Sequence, residues 1–244
     1  MEAVLGLVRS IATLLFIISV PVALVTANVR ILANEGRLYE YAFDQYNAPR
    51  RSGIARDELV RASQELRTYF NNDDETVYVR VQEGGREVSL FNPKETAHLR
   101  DVKNLFTLVF RVQEFSLIYA LVYVVGVFVW AREGTLRALA GQTMTAAVII
   151  LGAVVGLGVF AFAGFDQAFE QFHLISFDNE FWKLNPRTDH LIQMFPEDFW
   201  FDASIFAGIM TLLESALLVV GCLLYLSVTR RQEMHRLEPS HQGA

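Results

Sequence analysis

Apolar residues gather into four long blocks, roughly Leu5 to Ala27, Leu105 to Trp130, Thr143 to Phe165 and Ser204 to Val228. Each approaches the ~20 residues that an α-helix needs to cross a ~30 Å hydrocarbon layer, and none shows the one-sided spacing of a helix lying on a soluble core. The pattern predicts a membrane all-α core of four transmembrane helices, at 1–27, 105–130, 143–165 and 204–228. The first block also fits a cleaved signal peptide, with Arg9 ahead of it and Val25-Thr26-Ala27 as a small-residue cleavage site. Its length and the even helix count favour a retained helix.

Two polar stretches separate these blocks. Residues 28–104 predict a small α+β domain. "IARDELVRASQELRTYF" places Leu59, Leu66 and Phe70 at roughly helical spacing, and "TVYVRVQEGGREVSLF" alternates Val77, Val79 and Val81 with polar neighbours, turns at Gly84-Gly85 and resumes with Val88 and Leu90. That is the signature of an amphipathic helix followed by a β-hairpin. Residues 166–203 form an aromatic-rich segment in which Phe169, Phe172, Phe177, Phe181, Trp182, Phe195, Phe199 and Trp200, with Phe165 just before it, stand among carboxylates. Amphipathic rings favour the headgroup zone, so this segment is expected to rest against lipid.

Charge sets the expected orientation. The 131–142 connection carries Arg132 and Arg137, and the 229–244 tail carries Arg230, Arg231 and Arg236, which assigns both to the cytoplasm. The 166–203 loop is rich in Asp and Glu and reads as external, and 28–104 follows it. Both termini are then cytoplasmic in a multi-pass cell-membrane protein.

The net charge of −6, with no basic stripe and no phosphate-binding loop, argues against a nucleic-acid partner. Gly152, Gly156 and Gly158 lie in an apolar run with no preceding strand and read as helix-packing positions. Cys222 is the sole cysteine, so no internal disulfide can form.

Three of the five histidines, His98, His173 and His190, fall near outer helix entrances, while His235 and His241 lie in the tail. His98 shortly precedes the second predicted helix and His173 follows the third, so both are expected near one plane, where neighbouring helices ~8–10 Å apart let two side chains meet. Neutral imidazole takes a proton near pH 7 and imidazolium returns it. In a helical extension Glu95, His98 and Asp101 fall at i, i+3 and i+6, which makes either carboxylate a candidate to orient His98. A solvated collar around a surface histidine is the bland alternative.

Metal chemistry is poorly supported, because the histidines lack a short ligand spacing, and no G-x-S-x-G marks a serine nucleophile. Arg111, Glu114 and Glu214 lie inside apolar blocks, where ionised groups are costly unless paired or wetted. They are expected as structural glue or as the polar floor of a substrate cavity.

Together, "YEYAFDQYN" (39–47), "ETAHLRDVK" (95–103) and "FHLISFDNEFWKLNPRTDHLIQMFPEDFW" (172–200), set among four such helices, resemble the bacterial lipoprotein intramolecular transacylase family. The H-x-x-D-V-K and F-H-x-x-x-F-x-N-x-x-W blocks carry most of the resemblance. It implies an enzyme at the outer leaflet that needs no cofactor or metal. The substrates it implies are diacylated bacterial lipoproteins embedded among membrane lipids. The reaction moves the sn-2 acyl chain of the diacylglyceryl-cysteine to the cysteine α-amine and leaves the lyso form. His98 and His173 match the family's catalytic pair. Lys103, Asn179 and Trp182 fall within the matching blocks, the first two as polar donors to substrate carbonyls and Trp182 as an interfacial wall; His190 is expected to be supporting. The competing readings are a non-catalytic envelope membrane protein and a lipid-interface hydrolase that uses the same histidines with water.

Overall fold

The computed structural model describes residues 1–129 and 133–237. Arg132 and His241 lie outside the described residues, as do the side chains of His235 and Arg236. Four helices are long and apolar enough to cross a membrane: α1 (Glu2–Asn34), α5 (Pro93–Val129), α6 (Glu133–Ser176) and α8 (Glu197–Leu237). Between α1 and α5 come α2 (Gly36–Gln45), α3 (Ala48–Ser52), α4 (Arg56–Phe70) and strands β1 (Arg80–Glu83) and β2 (Arg86–Ser89), and α7 (His190–Met194) lies between α6 and α8. The chain divides into two compact units.

The first unit comprises Met1–Val25, Val112–Gly156 and the chain from Ile209. Its helices expose Phe115, Val122, Leu213 and Leu217, side chains whose favourable surroundings are hydrocarbon. Lipid supplies little hydrophobic drive between helices, so close packing and polar ties hold them together. Phe16 stacks on Tyr123 with ring centroids 4.5 Å apart. The Tyr123 hydroxyl bonds Thr13 at 3.0 Å and Gln142 at 2.9 Å, and Tyr119 donates to the Ala12 carbonyl at 3.0 Å. Those contacts tie α1, α5 and α6. Arg137 pairs with Glu233 at 2.8 Å. Glu114 and Glu214 are half-buried in this unit, and neither is free of interactions.

The second unit comprises Thr26–Arg111 and Leu157–Gly208 and has an ordinary apolar core. Leu59, Leu66 and Phe70 point from α4 into this core, as their spacing predicts, and meet Val79, Val81 and Leu90 of the hairpin segment. The two strands pair antiparallel, Val81 opposite Val88 and Glu83 opposite Arg86. Gly84 and Gly85 have φ of 57° and 80°, the two successive positive values that a tight hairpin turn demands. Arg111 is exposed, though not free of interactions.

The aromatic segment is only partly a surface belt. Phe172, Phe181 and Trp200 are exposed, but Phe195 and Phe199 are 6% and 4% exposed and belong to the core of the second unit. Phe195 packs edge-on against Tyr39 at 5.5 Å. Their expected place against lipid is corrected here: α7 turns that part of the chain inward, where α2 supplies aromatic partners. The tyrosines of the 39–47 block serve the same unit, since Tyr41 and Tyr46 both donate to Asp202 Oδ2, at 2.6 and 2.5 Å.

Candidate active site

His98 and His173 both lie on helices, close to helix ends. α5 starts at Pro93, which places His98 in its second turn; α6 runs to Ser176, which places His173 in its last turn. The start of α5 is locked by a capping box: Asn92 Oδ1 accepts from the Lys94 and Glu95 amides at 2.9 and 3.0 Å, and Glu95 Oε2 accepts from the Asn92 amide at 2.8 Å. Glu95 Oε1 accepts from the Leu191 amide at 2.7 Å and so joins α7 to α5. Both Glu95 oxygens therefore serve backbone amides. Its part is to hold the helix that carries His98.

The imidazoles of His98 and His173 are each 6% exposed, with ring centroids 6.0 Å apart. Phe177 meets both rings, at 5.2 and 5.7 Å. Trp182 stacks on His173 at 4.8 Å, and Phe169 packs edge-on to it at 4.4 Å. Two imidazolium charges this close and this shielded would repel strongly, so the pair accommodates one extra proton at most.

One hydrogen bond assigns a tautomer. His173 Nδ1 lies 2.7 Å from the Phe169 carbonyl oxygen, and a carbonyl oxygen only accepts. The proton is therefore on Nδ1, leaving Nε2 with its lone pair. His98 Nδ1 is buried without a hydrogen-bond partner among the described residues.

Asp101 and Asn179 form the polar rim. Asn179 Nδ2 donates to Asp101 Oδ2 at 2.9 Å, while Asn179 Oδ1 accepts from the Phe181 amide at 2.9 Å. These partners fix which way the amide points. Asp101 also acts electrostatically on His98, one turn away on the same helix.

Lys103 turns elsewhere. Its Nζ donates to Asn72 Oδ1 at 3.0 Å and to the Asp74 carbonyl at 2.6 Å, and it sits 4.2 Å from the Tyr69 ring centroid. Its donors tie the 72–74 turn to α5. His190 stands at the start of α7, and its neighbour Asp189 accepts from the Asn185 amide at 2.7 Å, the Thr188 hydroxyl at 2.9 Å and Asn92 Nδ2 at 3.1 Å. Burial raises the Asp189 pKa, but these donors outweigh it and hold the carboxyl below its ordinary value. Among the described residues no three His, Cys, Asp or Glu side chains converge as metal ligands.

Sequence reasoning missed the Phe169 carbonyl, the Asn92–Glu95–Leu191 linkage and the Asp101–Asn179 bond. Only the capping box had a readable signal, Asn92 three residues before Glu95.

Four spanning helices make this a multi-pass membrane protein, and it holds two buried imidazoles with ring centroids 6.0 Å apart. The chain belongs to the lipoprotein intramolecular transacylase (Lit) family, whose model matches residues 14–200. Membership makes it a lipoprotein-modifying acyltransferase. An uncharacterized protein of Aquifex aeolicus (strain VF5) is 25% identical over 215 residues, 86% of this chain and 93% of its own. The Lit structure from Bacillus cereus superposes with a TM-score of 0.71 at 20% identity, over 94% of this chain and 99% of that one. A histidine-to-arginine variant of the same Bacillus cereus protein superposes with a TM-score of 0.75 at 18% identity, over 95% and 97% of the two chains.

Proposed function

We propose that this protein moves the sn-2 acyl chain of a diacylglyceryl-cysteine to the α-amine of that cysteine, with His98 and His173 as its reacting groups. The observation that carries the assignment of roles is the bond between His173 Nδ1 and the Phe169 carbonyl.

With Nδ1 protonated, His173 Nε2 is the base. A cysteine α-amine has an ordinary pKa of ~7.7–8.0, so it must lose a proton before it attacks. The ammonium gives that proton to solvent, and as the neutral amine nitrogen bonds to the ester carbonyl carbon, His173 Nε2 takes a second proton from it. The carbonyl electrons move to oxygen, where an N–H of His98 stabilises the developing charge. Collapse breaks the bond to the glyceryl oxygen, which leaves with the proton returned by His173. The acyl group is then on nitrogen, the glyceryl hydroxyl is free, and no water or second substrate is consumed. Because amine and ester belong to one molecule, orientation supplies much of the acceleration; aligned intramolecular reactions recover roughly 7–11 kcal/mol of barrier.

The proposed orientation has both termini in the cytoplasm and the histidines at the outer leaflet, supported by Arg137, Arg230 and Arg231 near the opposite helix ends. In the same reading residues 28–104 and 166–203 are extracytoplasmic. Asn179, Asp101 and Trp182 position the catalytic rings, and Glu95 and Lys103 support the helix beneath them.

Mass spectrometry of the N-terminal lipopeptide tests this reading. A lipoprotein with a free cysteine amine is incubated with the protein and with His98→Ala and His173→Ala. The expected product has unchanged mass, with fragmentation placing one acyl group on nitrogen, and forms only with both histidines. An unmodified lipopeptide in the presence of folded protein, or loss of one acyl mass, refutes it.

A further inference from the structure

The two edges of the hairpin are unlike. The Leu90 amide donates to the Val79 carbonyl at 2.9 Å, so the 79/90, 81/88 and 83/86 pairs carry the ladder bonds and residues 80, 82, 87 and 89 direct their backbone groups outward. On β1 two of those groups are taken by α4: Glu58 accepts from the Gln82 amide at 3.0 Å, and Arg61 donates to the Arg80 carbonyl at 2.5 Å. On β2 no further strand pairs with Glu87 or Ser89 among the described residues.

The β2 edge continues into a cavity of about 650 Å³. Its lining includes Ser89–Asn92, Thr96 and Arg100 of α5, and His190. His190 Nδ1 is buried, with no hydrogen-bond partner among the described residues. On α5, Pro93, Glu95, Thr96, Ala97 and Arg100 line this cavity. Neither His98 nor His173 is among its lining residues.

We infer that the free edge of β2 and the adjoining cavity bind the polypeptide of the lipoprotein substrate as an added strand. The occupant must present alternating N–H and C=O groups to the outward groups of Glu87 and Ser89, and an extended polypeptide has that pattern at that spacing. Main-chain pairing reads few side chains, which suits an enzyme whose substrates share a lipidated cysteine and differ downstream. This inference rests on the transacylase reading and adds where the peptide goes.

The test uses the full chain in lipid nanodiscs and a fluorescent diacylglyceryl-cysteine lipopeptide with a tail of about ten residues, roughly 33 Å when extended. Its counterpart is cut back to the cysteine and its immediate neighbour. The long form is expected to bind about tenfold more tightly, the worth of two net main-chain hydrogen bonds. Ser89→Pro, which removes an outward N–H that β1 does not use, is expected to abolish that gain. Should Ser89→Pro fail to fold, the probe itself carries the test. N-methylation of one alternate set of tail amides removes the tenfold gain, and methylation of the other set does not. Equal binding of long and short forms, or equal effects of the two methylated sets, overturns the inference. Mass spectrometry of the short lipopeptide with the wild-type protein separates the two failures, since a missing acyl shift there refutes the transacylase reading and not the strand.

Discussion

Asn179 donates its amide to the Asp101 carboxylate at 2.9 Å, joining residues 78 positions apart and anchoring the loop that carries Trp182 to the helix that carries His98. A hydrogen bond to a charged acceptor is worth about 1.5–3 kcal/mol. Asn179→Asp replaces it with two facing carboxylates and is expected to lower acyl transfer more than Asn179→Ala does. Two such groups share a proton, so one titrates well above the usual range. As pH falls through that raised value one carboxylate gains a proton and the repulsion ends, and the activity of Asn179→Asp relative to wild type should rise from pH 7.5 to pH 5.5. A ratio that stays flat would remove Asn179 from the positioning role.

The two histidines answer differently to an amide side chain. If His98 donates to the oxyanion, His98→Asn keeps a donor and should retain more activity than His98→Ala, against the ~10²–10³-fold loss typical for a lost oxyanion donor. His173 must accept a proton, which an amide cannot do, so His173→Gln should be as inactive as His173→Ala. Initial rates with a synthetic diacylated lipopeptide decide this. Rescue at residue 173 and none at residue 98 would reverse the assigned roles.

Glu95 is 0% exposed and accepts from two amides that belong to separate parts of the chain. Glu95→Ala leaves both without an acceptor, at about 1–3 kcal/mol each. Thermal unfolding in detergent is expected at a clearly lower temperature for Glu95→Ala, with Glu95→Gln between it and wild type because one carbonyl oxygen survives. Unchanged melting would mean that the α5–α7 tie contributes nothing.

Asp189 supplies an acid limit to stability. Its folded pKa is below the ordinary ~3.9, so folding favours the ionised form. That stabilisation is complete above the unfolded value and disappears as pH falls through the lower folded one. Melting temperature should therefore drop more steeply below about pH 4 in wild type than in Asp189→Asn. Parallel curves would exclude Asp189 as the group responsible.

The spanning helices were legible because solubility in lipid is a property of local composition: about twenty apolar residues in a row need lipid whatever their neighbours do. Adjacent glycines between alternating valines announced the hairpin for an equally local reason. The paired histidines were legible as chemistry, since few other residues exchange protons near neutral pH. α2 and α3 were not legible, because their short polar sequences become helical by packing against α4 and α7. Phe195 and Phe199 were misplaced, because hydrophobicity alone does not distinguish a ring facing lipid from one facing a protein core.

Sequence by itself determined the number of membrane spans, the turn at Gly84-Gly85 and the residue types available for proton transfer. Tertiary structure alone decided that Glu95 serves the Leu191 amide and that Asn179 reaches Asp101, and the folded α6 that the Phe169 carbonyl accepts a hydrogen bond from His173 Nδ1. The reason is that backbone groups are identical in every sequence. Their direction, and the meeting of side chains far apart in the chain, exist only after the chain has packed.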